Sequence, residues 1–306
     1  MDDVTGPGRG AGGDPKDLYT LGYDPREQRR MGGRTASQAA HFVLPYLRPG
    51  MRVLDCGCGP GSITIGLARA VVPGEVVGID VEPRQVAVAQ AHAEEHGIGN
   101  VRFEEASAYH LPFPDGAFDA VFAHAVLAHL RHPLRALREF RRVLNERGVV
   151  GVSDLDWGAV LWEPATPRLR EARDLLLRVR NHTGSPYYAR HQRRFLLEAG
   201  FASSEASTTP TYQTYAGTID ETRRWAATVM RWFQEPALAE VALNHNWANQ
   251  DGLDAMIAEV QAWGEQPDAF FGVLTCSAVG WAGGDASAQQ DELANWRSRI
   301  DRRPPP

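Results

Sequence analysis

The sequence predicts an α/β protein with a doubly wound, Rossmann-like sheet of seven mostly parallel strands, and with helical insertions that form a lid. From residue 51, short β-branched runs alternate with longer segments of helical periodicity, a pattern typical of strands joined by crossover helices. After Leu155 the alternation loosens, and all eight tryptophans lie at or beyond position 157. The length of 306 residues accommodates one large domain with such insertions.

Five strands and three helices are predicted in the first half of the chain. The strands are Met51–Cys56, Glu75–Asp80, Val101–Glu105, Phe118–Ala123 and Val149–Leu155. The helices cover residues 62–71, 83–96 and 133–144. Pro83 and Pro133 suit the first position of a helix, where no backbone N–H is needed, and Gly97 suits the left-handed residue after a helix end.

The second half is predicted to be mainly helical and rich in aromatic side chains. The predicted elements are a helical insertion at 167–183, a helix at 187–199 closed by Gly200, a strand at 201–215, helices between 220 and 262, and a last strand at 270–281. Most of the aromatic rings are expected in the core. A pocket for an apolar ligand and a dimer interface are the alternative uses of these rings.

The predicted organisation has five parts. They are a disordered tail (1–16), N-terminal cap helices (17–50), a ligand-binding Rossmann-like core (51–160), the remainder of the fold (161–282) with lid insertions at about 161–185 and 218–266, and a mobile tail (283–306).

Composition narrows the functional classes. The net charge is −6 and the basic residues are scattered, so nucleic acid is not an expected partner. Lys16 is the only lysine, which disfavours Schiff-base chemistry and Walker-type phosphate binding. No apolar run is long enough to span a membrane and no signal peptide is recognisable, so we expect a cytoplasmic protein. The cysteines, including Cys56 and Cys58, lack a second cysteine or histidine pair, and no metal site is predicted.

The stretch "VLDCGCGPGSIT", residues 53–64, is predicted to be a ligand-binding loop between a strand and a helix. Glycine lets the backbone approach a ligand closely, and the free N–H groups at the helix start favour an anionic group. Open α/β sheets bind ligands at this edge. A dinucleotide fingerprint would place glycine at position 62, where the chain has Ser62, so a nicotinamide cofactor is disfavoured.

A second acidic position strengthens the prediction of an adenosine ligand. The stretch "VVGIDVEP" is a predicted strand that ends in Asp80, 25 residues after Asp55. A carboxylate there can accept both hydroxyls of a ribose. Dehydrogenases use the same position, so Asp80 does not decide between cofactors, and capping of the helix that follows is its alternative role.

The loop spacing D-x-G-x-G-x-G resembles that of class I S-adenosylmethionine-dependent methyltransferases. Downstream, "LPFPDGAFD" and "VLNERGV", in which only Gly148 of the usual turn remains, resemble the ubiquinone/menaquinone-biosynthesis-type group (methyltransferase domain 11/25). "RTASQAAHFVLPYLRPG" is similar to the helix that precedes the first strand in a branch of that group. The resemblance covers residues 34–155 and implies S-adenosylmethionine as the cofactor and S-adenosylhomocysteine as its product.

The resemblance also implies where the cofactor binds. Gly57 and Gly59 would contact its methionine part, Asp80 its ribose, and His124 would lie near the sulfonium. Arg34 would meet the methionine carboxylate, or be a solvated arginine. The complete set of implied cofactor-binding residues is Arg34, Asp55, Gly57, Gly59, Asp80, Val81, Gln85, Ser107, Ala108 and His124.

Methyl transfer from a sulfonium needs correct positioning above all, and an obligatory general base is not required. Any base should lie at the carboxyl ends of the fourth and fifth strands, which nominates His124, His129 and Asp154. A helix cap or a surface polar group is the alternative role of each. The predicted substrate-binding residues are Tyr19, Tyr23, Asp156, Trp157, His182, Tyr187, His191 and Trp232.

The expected reaction is methylation of an O, N, S or C atom of a small, partly apolar molecule, by a monomer or homodimer. The stretch "AHAVLAHL" lacks the acidic-Pro-Pro-aromatic run expected of an amino-methyltransferase for nucleic-acid bases. An arginine-rich, nearly lysine-free chain suggests a bacterial source and specialised metabolism. The alternatives are a protein that binds S-adenosylmethionine without methyl transfer and, third, an NAD-dependent oxidoreductase.

Overall fold

The computed structural model describes residues 25–201, 211–214 and 218–283 and contains one sheet with the strand order β3-β2-β1-β4-β5-β7-β6. Strands β1 to β5 are parallel, and β7 is antiparallel to its neighbours β5 and β6. The strands are β1 Arg52–Cys56, β2 Glu75–Asp80, β3 Val101–Glu105, β4 Phe118–His124, β5 Leu144–Glu163, β6 Thr211–Thr214 and β7 Phe270–Trp281.

Ten α-helices lie in the described part of the chain. They are α1 Pro25–Gly32, α2 Ala36–Ala39, α3 Ser62–Val71, α4 Pro83–Glu95, α5 Pro133–Val143, α6 Pro167–Thr183, α7 Gln192–Glu198, α8 Ile219–Gln234, α9 Pro236–Asn244 and α10 Gln250–Gly264. The predicted fold class is confirmed. None of these helices is long and apolar enough to cross a membrane.

Several predicted boundaries are wrong. Strand β5 does not end at Leu155 but continues to Glu163, because its outer half pairs with β7. The region around "VLNERGV" is already part of β5 rather than a turn before it. The predicted helix 187–199 is a 3-10 turn followed by α7, and the helices from 220 to 262 are three separate ones. The predicted strand 201–215 is described only in part.

Two apolar layers show why the sheet is doubly wound. Successive strand residues point to opposite faces, so Leu54 joins one buried cluster with α5, and Val53 joins another with α2 and α3. Fully buried aliphatic side chains of this kind contribute about 1.5–3 kcal/mol each. Helix α2 lies so close to α3 that a Cβ at Gly66 would clash with Ala36. The segment before β1 is thereby held next to the loop that contains Gly57, Gly59 and Gly61.

The outer halves of β5 and β7, residues 160–163 and 270–273, pair as a ribbon beyond a register shift after Asp156, and β6 pairs with the inner part of it on the β7 side. Helices α6, α8, α9 and α10 pack on this ribbon in a separate apolar cluster. We call the ribbon and these four helices the lid. The indole N–H of Trp263 donates a 2.8 Å hydrogen bond to the carbonyl of Glu163, which fastens α10 to the ribbon.

Most of the tryptophans in the described residues are core, as expected. Trp157, Trp162, Trp225, Trp232 and Trp263 are all buried within the lid. Their rings meet edge to face at centroid distances of 5.4 to 5.7 Å, an arrangement that adds to their burial energy. The lid therefore has a hydrophobic core of its own.

Arg142 holds the "LPFPDG" stretch, residues 111–116, in its conformation. Its guanidinium donates to the carbonyls of Leu111 and Phe113 at 2.9 and 2.7 Å, and pairs with Asp115 and Glu139. This side chain on α5 therefore fixes the connection between β3 and β4, and with it the edge of the sheet where β4 ends.

We predict that Arg142→Met lowers the free energy of unfolding by about 1–3 kcal/mol, because two carbonyls and two carboxylates lose a charged donor. Arg138→Met is the matched control, since Arg138 is exposed on the same helix and should change stability by under about 0.5 kcal/mol. Urea unfolding measures both. Equal effects of the two substitutions would contradict the role given to Arg142.

Candidate active site

The glycine loop connects β1 to α3 through three residues with positive φ. The φ angles of Gly57, Gly59 and Gly61 are 74°, 52° and 78°, a conformation that favours glycine. A Cβ at Gly57 would also clash with Val126, whereas the space around Gly59 is open to 4 Å. The loop thus presents bare backbone on one side and packs tightly against the end of β4 on the other.

Asp55 holds the loop from within the core. Its carboxylate accepts a 2.6 Å hydrogen bond from the hydroxyl of Thr64 on α3. Burial raises the pKa of Asp55 to about 7. The residue therefore stabilises the turn from strand to helix, and a direct contact with the cofactor remains a prediction.

Asp80 ends β2 directly beside the same loop. One oxygen accepts the N–H of Gly59 at 3.0 Å and the other accepts the N–H of Glu82 at 3.0 Å. Burial raises the pKa of this carboxyl, an effect that the backbone donors partly offset. Asp80 thus links the glycine loop to the start of α4.

Next to Asp80 lie the other residues predicted to surround the adenosine. Val81 is 62% exposed, which is unusual for a large apolar side chain in this fold. Gln85 is 1% exposed, and neither atom of its amide has a hydrogen-bond partner in the described residues. Ser107 and Ala108, which follow β3, are partly buried, and the carbonyl of Asp80 holds this segment through the N–H of Ala106.

Beyond β4 the chain forms a tight turn, residues 125–129, that we call the β4 turn. Ala125 has a positive φ of 56°, which is uncommon for a residue with a Cβ. Its N–H donates to the carbonyl of Ser153 at 2.8 Å. His124 precedes this turn, His129 is its last residue, and Val126 contacts the glycine loop.

Both histidines are neutral at physiological pH. The pKa of His124 is lowered to about 3 by burial and by the charges of Arg34 and Arg30. The pKa of His129 is also lowered to about 3, by burial and by the charges of Arg180, Arg34 and Arg30. Two arginines of the N-terminal segment therefore act on both imidazoles, and one arginine of the lid acts on His129.

Asp154 holds the β4 turn from β5. Its Oδ1 accepts the N–H of Ala128 at 3.2 Å, and Leu127 and Val126 also contribute backbone hydrogen bonds. Burial raises the pKa of Asp154 to about 8. The carboxyl is therefore mostly protonated near pH 7, and its contacts favour the capping alternative over the predicted role as a base.

The lid reaches the β4 turn at the end of α6. The N–H of Ser185 donates to the carbonyl of Ala128 at 2.9 Å. A Cβ at Gly184 would lie 2.8 Å from the same carbonyl oxygen, so only glycine permits this approach. One turn earlier on α6, Arg180 is buried, with its guanidinium over the ring of Trp157 at 3.7 Å.

Comparison with known proteins assigns the family. A model of a methyltransferase domain matches residues 47–185. An uncharacterised methyltransferase of Schizosaccharomyces pombe is 32% identical over 267 residues, which are 83% of this chain and 92% of that protein. The chain belongs to the class I S-adenosylmethionine-dependent methyltransferases. The resemblance found in the sequence is thus confirmed.

Two further similarities agree. A probable methyltransferase of Aspergillus luteorubrus is 28% identical over 290 residues, which are 86% of this methyltransferase and 96% of that protein. The crystal structure of the YcgJ protein of Bacillus subtilis covers 81% of this chain and 99% of its own, with a TM-score of 0.54 and 23% identity, and supports the fold. Since both named relatives by sequence are fungal, a bacterial source stays a prediction.

The site fits S-adenosylmethionine. The open space at Gly59 admits a ligand against bare backbone. The buried amide of Gln85 offers a donor and an acceptor that the described residues leave unused, and a buried polar group without a partner is costly. The exposed Val81 lies between these groups in the sequence. An adenosine with its ribose hydroxyls would satisfy this set.

The structure places the remaining predicted substrate residues in different surroundings. Trp157 and Trp232 line a small cavity in the lid, whereas Asp156 is bound by Arg190 and by the N–H of Gly158. Tyr187 and His191 are exposed. His182 is exposed as well and contacts the ring of His245. Tyr19 and Tyr23 lie outside the described residues.

Sequence reasoning missed Arg180, Thr64 and Val126. Arg180 occurs in "LLLRVRNHT", and only its place on the inner face of α6, among Leu176, Val179 and Thr183, distinguishes it from the solvated arginines around it. That spacing was a usable signal. The contact of Val126 with Gly57 depends on tertiary structure.

We predict that Asp154→Asn flattens the pH dependence of stability. The folded-state pKa of about 8 exceeds the unfolded value of about 4. Wild-type stability is therefore lost as the pH rises between these values, by up to about 1.4 kcal/mol per pH unit from this group. Asparagine retains an acceptor for Ala128 without the charge.

Urea unfolding between pH 5 and 8 measures the effect. The variant should match the wild type near pH 5 and exceed its stability at pH 8. A variant that loses the same stability as the wild type over this range would contradict the raised pKa of Asp154.

Proposed function

We propose that the methyltransferase transfers the methyl group of S-adenosylmethionine to an O, N, S or C atom of a small, partly apolar acceptor bound between the β4 turn and the lid. The observation that carries this proposal is the position of the β4 turn. It contacts the glycine loop through Val126 and the lid through Ala128 and Ser185. A cofactor at the glycine loop and an acceptor at the lid would therefore lie on opposite sides of this short segment.

The residues that would hold the cofactor are the glycine loop, Asp80 and Gln85, with Val81, Ser107 and Ala108 beside them. The cofactor supplies an activated methyl carbon, so the protein has to position the acceptor and exclude water. Arg34 and Arg30 lower the pKa of both histidines. The methionine carboxylate of the cofactor could bind at Arg34, because a guanidinium donates two parallel hydrogen bonds to a carboxylate.

The acceptor side of the site contains two neutral imidazoles and a mostly protonated carboxyl. A neutral imidazole accepts a hydrogen bond or a proton, but a pKa near 3 makes it a weak base. Arg34 and Arg30 act on both imidazoles, and Arg180 acts on His129. His124 and His129 would then orient the acceptor, and Asp154 would position the turn that carries them.

The direct test is transfer of a labelled methyl group from S-adenosylmethionine to a panel of small aromatic and aliphatic acids, phenols, thiols and amines. Labelled product with any acceptor, and none without enzyme, is the expected result. Binding of S-adenosylhomocysteine without transfer to the panel or to a cell extract would favour a binding protein that has lost the reaction. Binding of NADH without S-adenosylhomocysteine would overturn the proposal.

We predict that Asp80→Asn weakens S-adenosylhomocysteine binding at least about 10-fold, which is the effect of removing one charge-assisted hydrogen bond. The amide has one accepting oxygen, and the N–H of Gly59 competes for it. Titration calorimetry measures the dissociation constant. Glu94→Gln, on the exposed side of α4, is the matched control and should bind like the wild type. An unchanged affinity of Asp80→Asn would contradict the proposed role of Asp80.

A further inference from the structure

The glycine loop is held by side chains of two neighbouring elements. The N–H of Gly59 donates to Asp80 of β2 at 3.0 Å. The next residue, Pro60, accepts a 3.0 Å hydrogen bond at its carbonyl from Nδ1 of His92 on α4. A carbonyl oxygen can only accept, so Nδ1 of His92 carries the proton. A loop N–H and the adjacent loop carbonyl are thus each bound by a side chain.

We propose that His92 is a positioning residue for the cofactor. By binding the carbonyl of Pro60, it holds the glycine loop in the shape that receives the methionine part of S-adenosylmethionine. The proposal rests on the proposed function and adds a residue to the site that this function requires. His92 acts through the loop backbone rather than on the reacting atoms.

The hydrogen bond of His92 completes the fixation of one peptide group, the one that joins Pro60 to Gly61. Its N–H, on Gly61, donates to the carbonyl of Cys58 at 3.1 Å, and its carbonyl, on Pro60, is the group that His92 binds. The residues on either side, Gly59 and Gly61, both have positive φ and the backbone freedom of glycine. Without His92, only one of the two polar atoms keeps its protein partner, and this peptide group gains freedom to rotate.

This peptide group leads directly into α3, where Gly61 is the N-cap residue. The start of a helix favours an anionic group, because its N–H groups point outwards along the helix axis. In S-adenosylmethionine the carboxylate belongs to the methionine part, whereas the ribose is the part that Asp80 is predicted to bind. The conformation of the loop around Pro60 should therefore affect mainly the methionine part.

The surroundings of His92 keep its ring in place. The residue is partly buried, and a Cβ at Gly32 would lie 3.9 Å from its Cε1 atom, which is an ordinary contact distance. The hydroxyl of Ser62, at the start of α3, donates to the carbonyl of Met31 at 3.3 Å. The end of α1 thus packs beside both the ring of His92 and the end of the glycine loop.

Titration calorimetry of the full chain with two ligands tests the proposal. S-adenosylhomocysteine contains the amino-acid part of the cofactor, whereas methylthioadenosine has the adenosine and the sulfur but lacks the amino-acid group. His92→Leu should weaken binding of S-adenosylhomocysteine about 5-fold, which is the effect of one lost hydrogen bond. Its affinity for methylthioadenosine should change by less than about 2-fold.

Two further variants distinguish the hydrogen bond from a general effect on the fold. His92→Asn should bind S-adenosylhomocysteine like the wild type, because its amide nitrogen can take the place of Nδ1 as the donor. His96→Leu is the matched control, since His96 is exposed one turn further along and its Nδ1 bonds to the carbonyl of residue 92 within the same helix. Should His92→Leu fail to fold, His92→Phe keeps a flat ring without the donor and replaces it.

An unchanged affinity of His92→Leu for S-adenosylhomocysteine would overturn the proposal. An equal loss in His92→Asn, or an equal loss for methylthioadenosine, would overturn it as well, since either would indicate a general effect on the fold. A wild-type chain that does not bind S-adenosylhomocysteine would instead refute the proposed function. A wild-type chain that binds it, with no effect of His92, would refute only the positioning role.

Discussion

The structure depends on how the β4 turn is held. Five residues, 125–129, contact three separate parts of the molecule: the glycine loop through Val126, strand β5 through Asp154, and the lid through Ser185. The positive φ of Ala125 is part of this arrangement. Strained backbone persists only where surrounding contacts over-determine it. The glycine loop and the lid thus contact the same short segment.

The electrostatics of the site follow from the same packing. Burial keeps His124 and His129 neutral and leaves Asp55 and Asp154 with raised pKa values. Arginine retains its charge even when buried, since its pKa is above about 12. Near pH 7 both imidazoles are therefore neutral and the carboxyl of Asp154 is mostly protonated. Such groups can orient an acceptor without a strong general base.

Much of the fold could be predicted from the sequence because its signals are local. Glycines at 57, 59 and 61, proline at 83 and 133, and β-branched runs between helical patterns mark the parallel half of the sheet. The continuation of β5 to Glu163 could not be predicted, because it depends on pairing with Phe270, more than 100 residues away. The separate core of the lid depends on the same ribbon.

In the candidate site, too, the sequence predicts local features but not contacts between distant residues. Asp80 could be placed beside the glycine loop, since parallel strands end at one edge of the sheet. Asp154 was nominated as a base from its strand position, but its role as a cap for the N–H of Ala128 depends on the path of the chain after β4. The ring contacts of Arg180 depend on Trp157 and Trp232, which come from other elements of the fold.

The central claim is that the glycine loop, Asp80 and the β4 turn form one cofactor site that faces the lid. A crystal structure of the chain with bound S-adenosylhomocysteine tests it most directly. The account predicts that the ribose hydroxyls lie within hydrogen-bond distance of Asp80 and that the sulfur faces the β4 turn between His124 and His129. A ligand bound elsewhere, or one whose sulfur points away from the β4 turn and the lid, would contradict it.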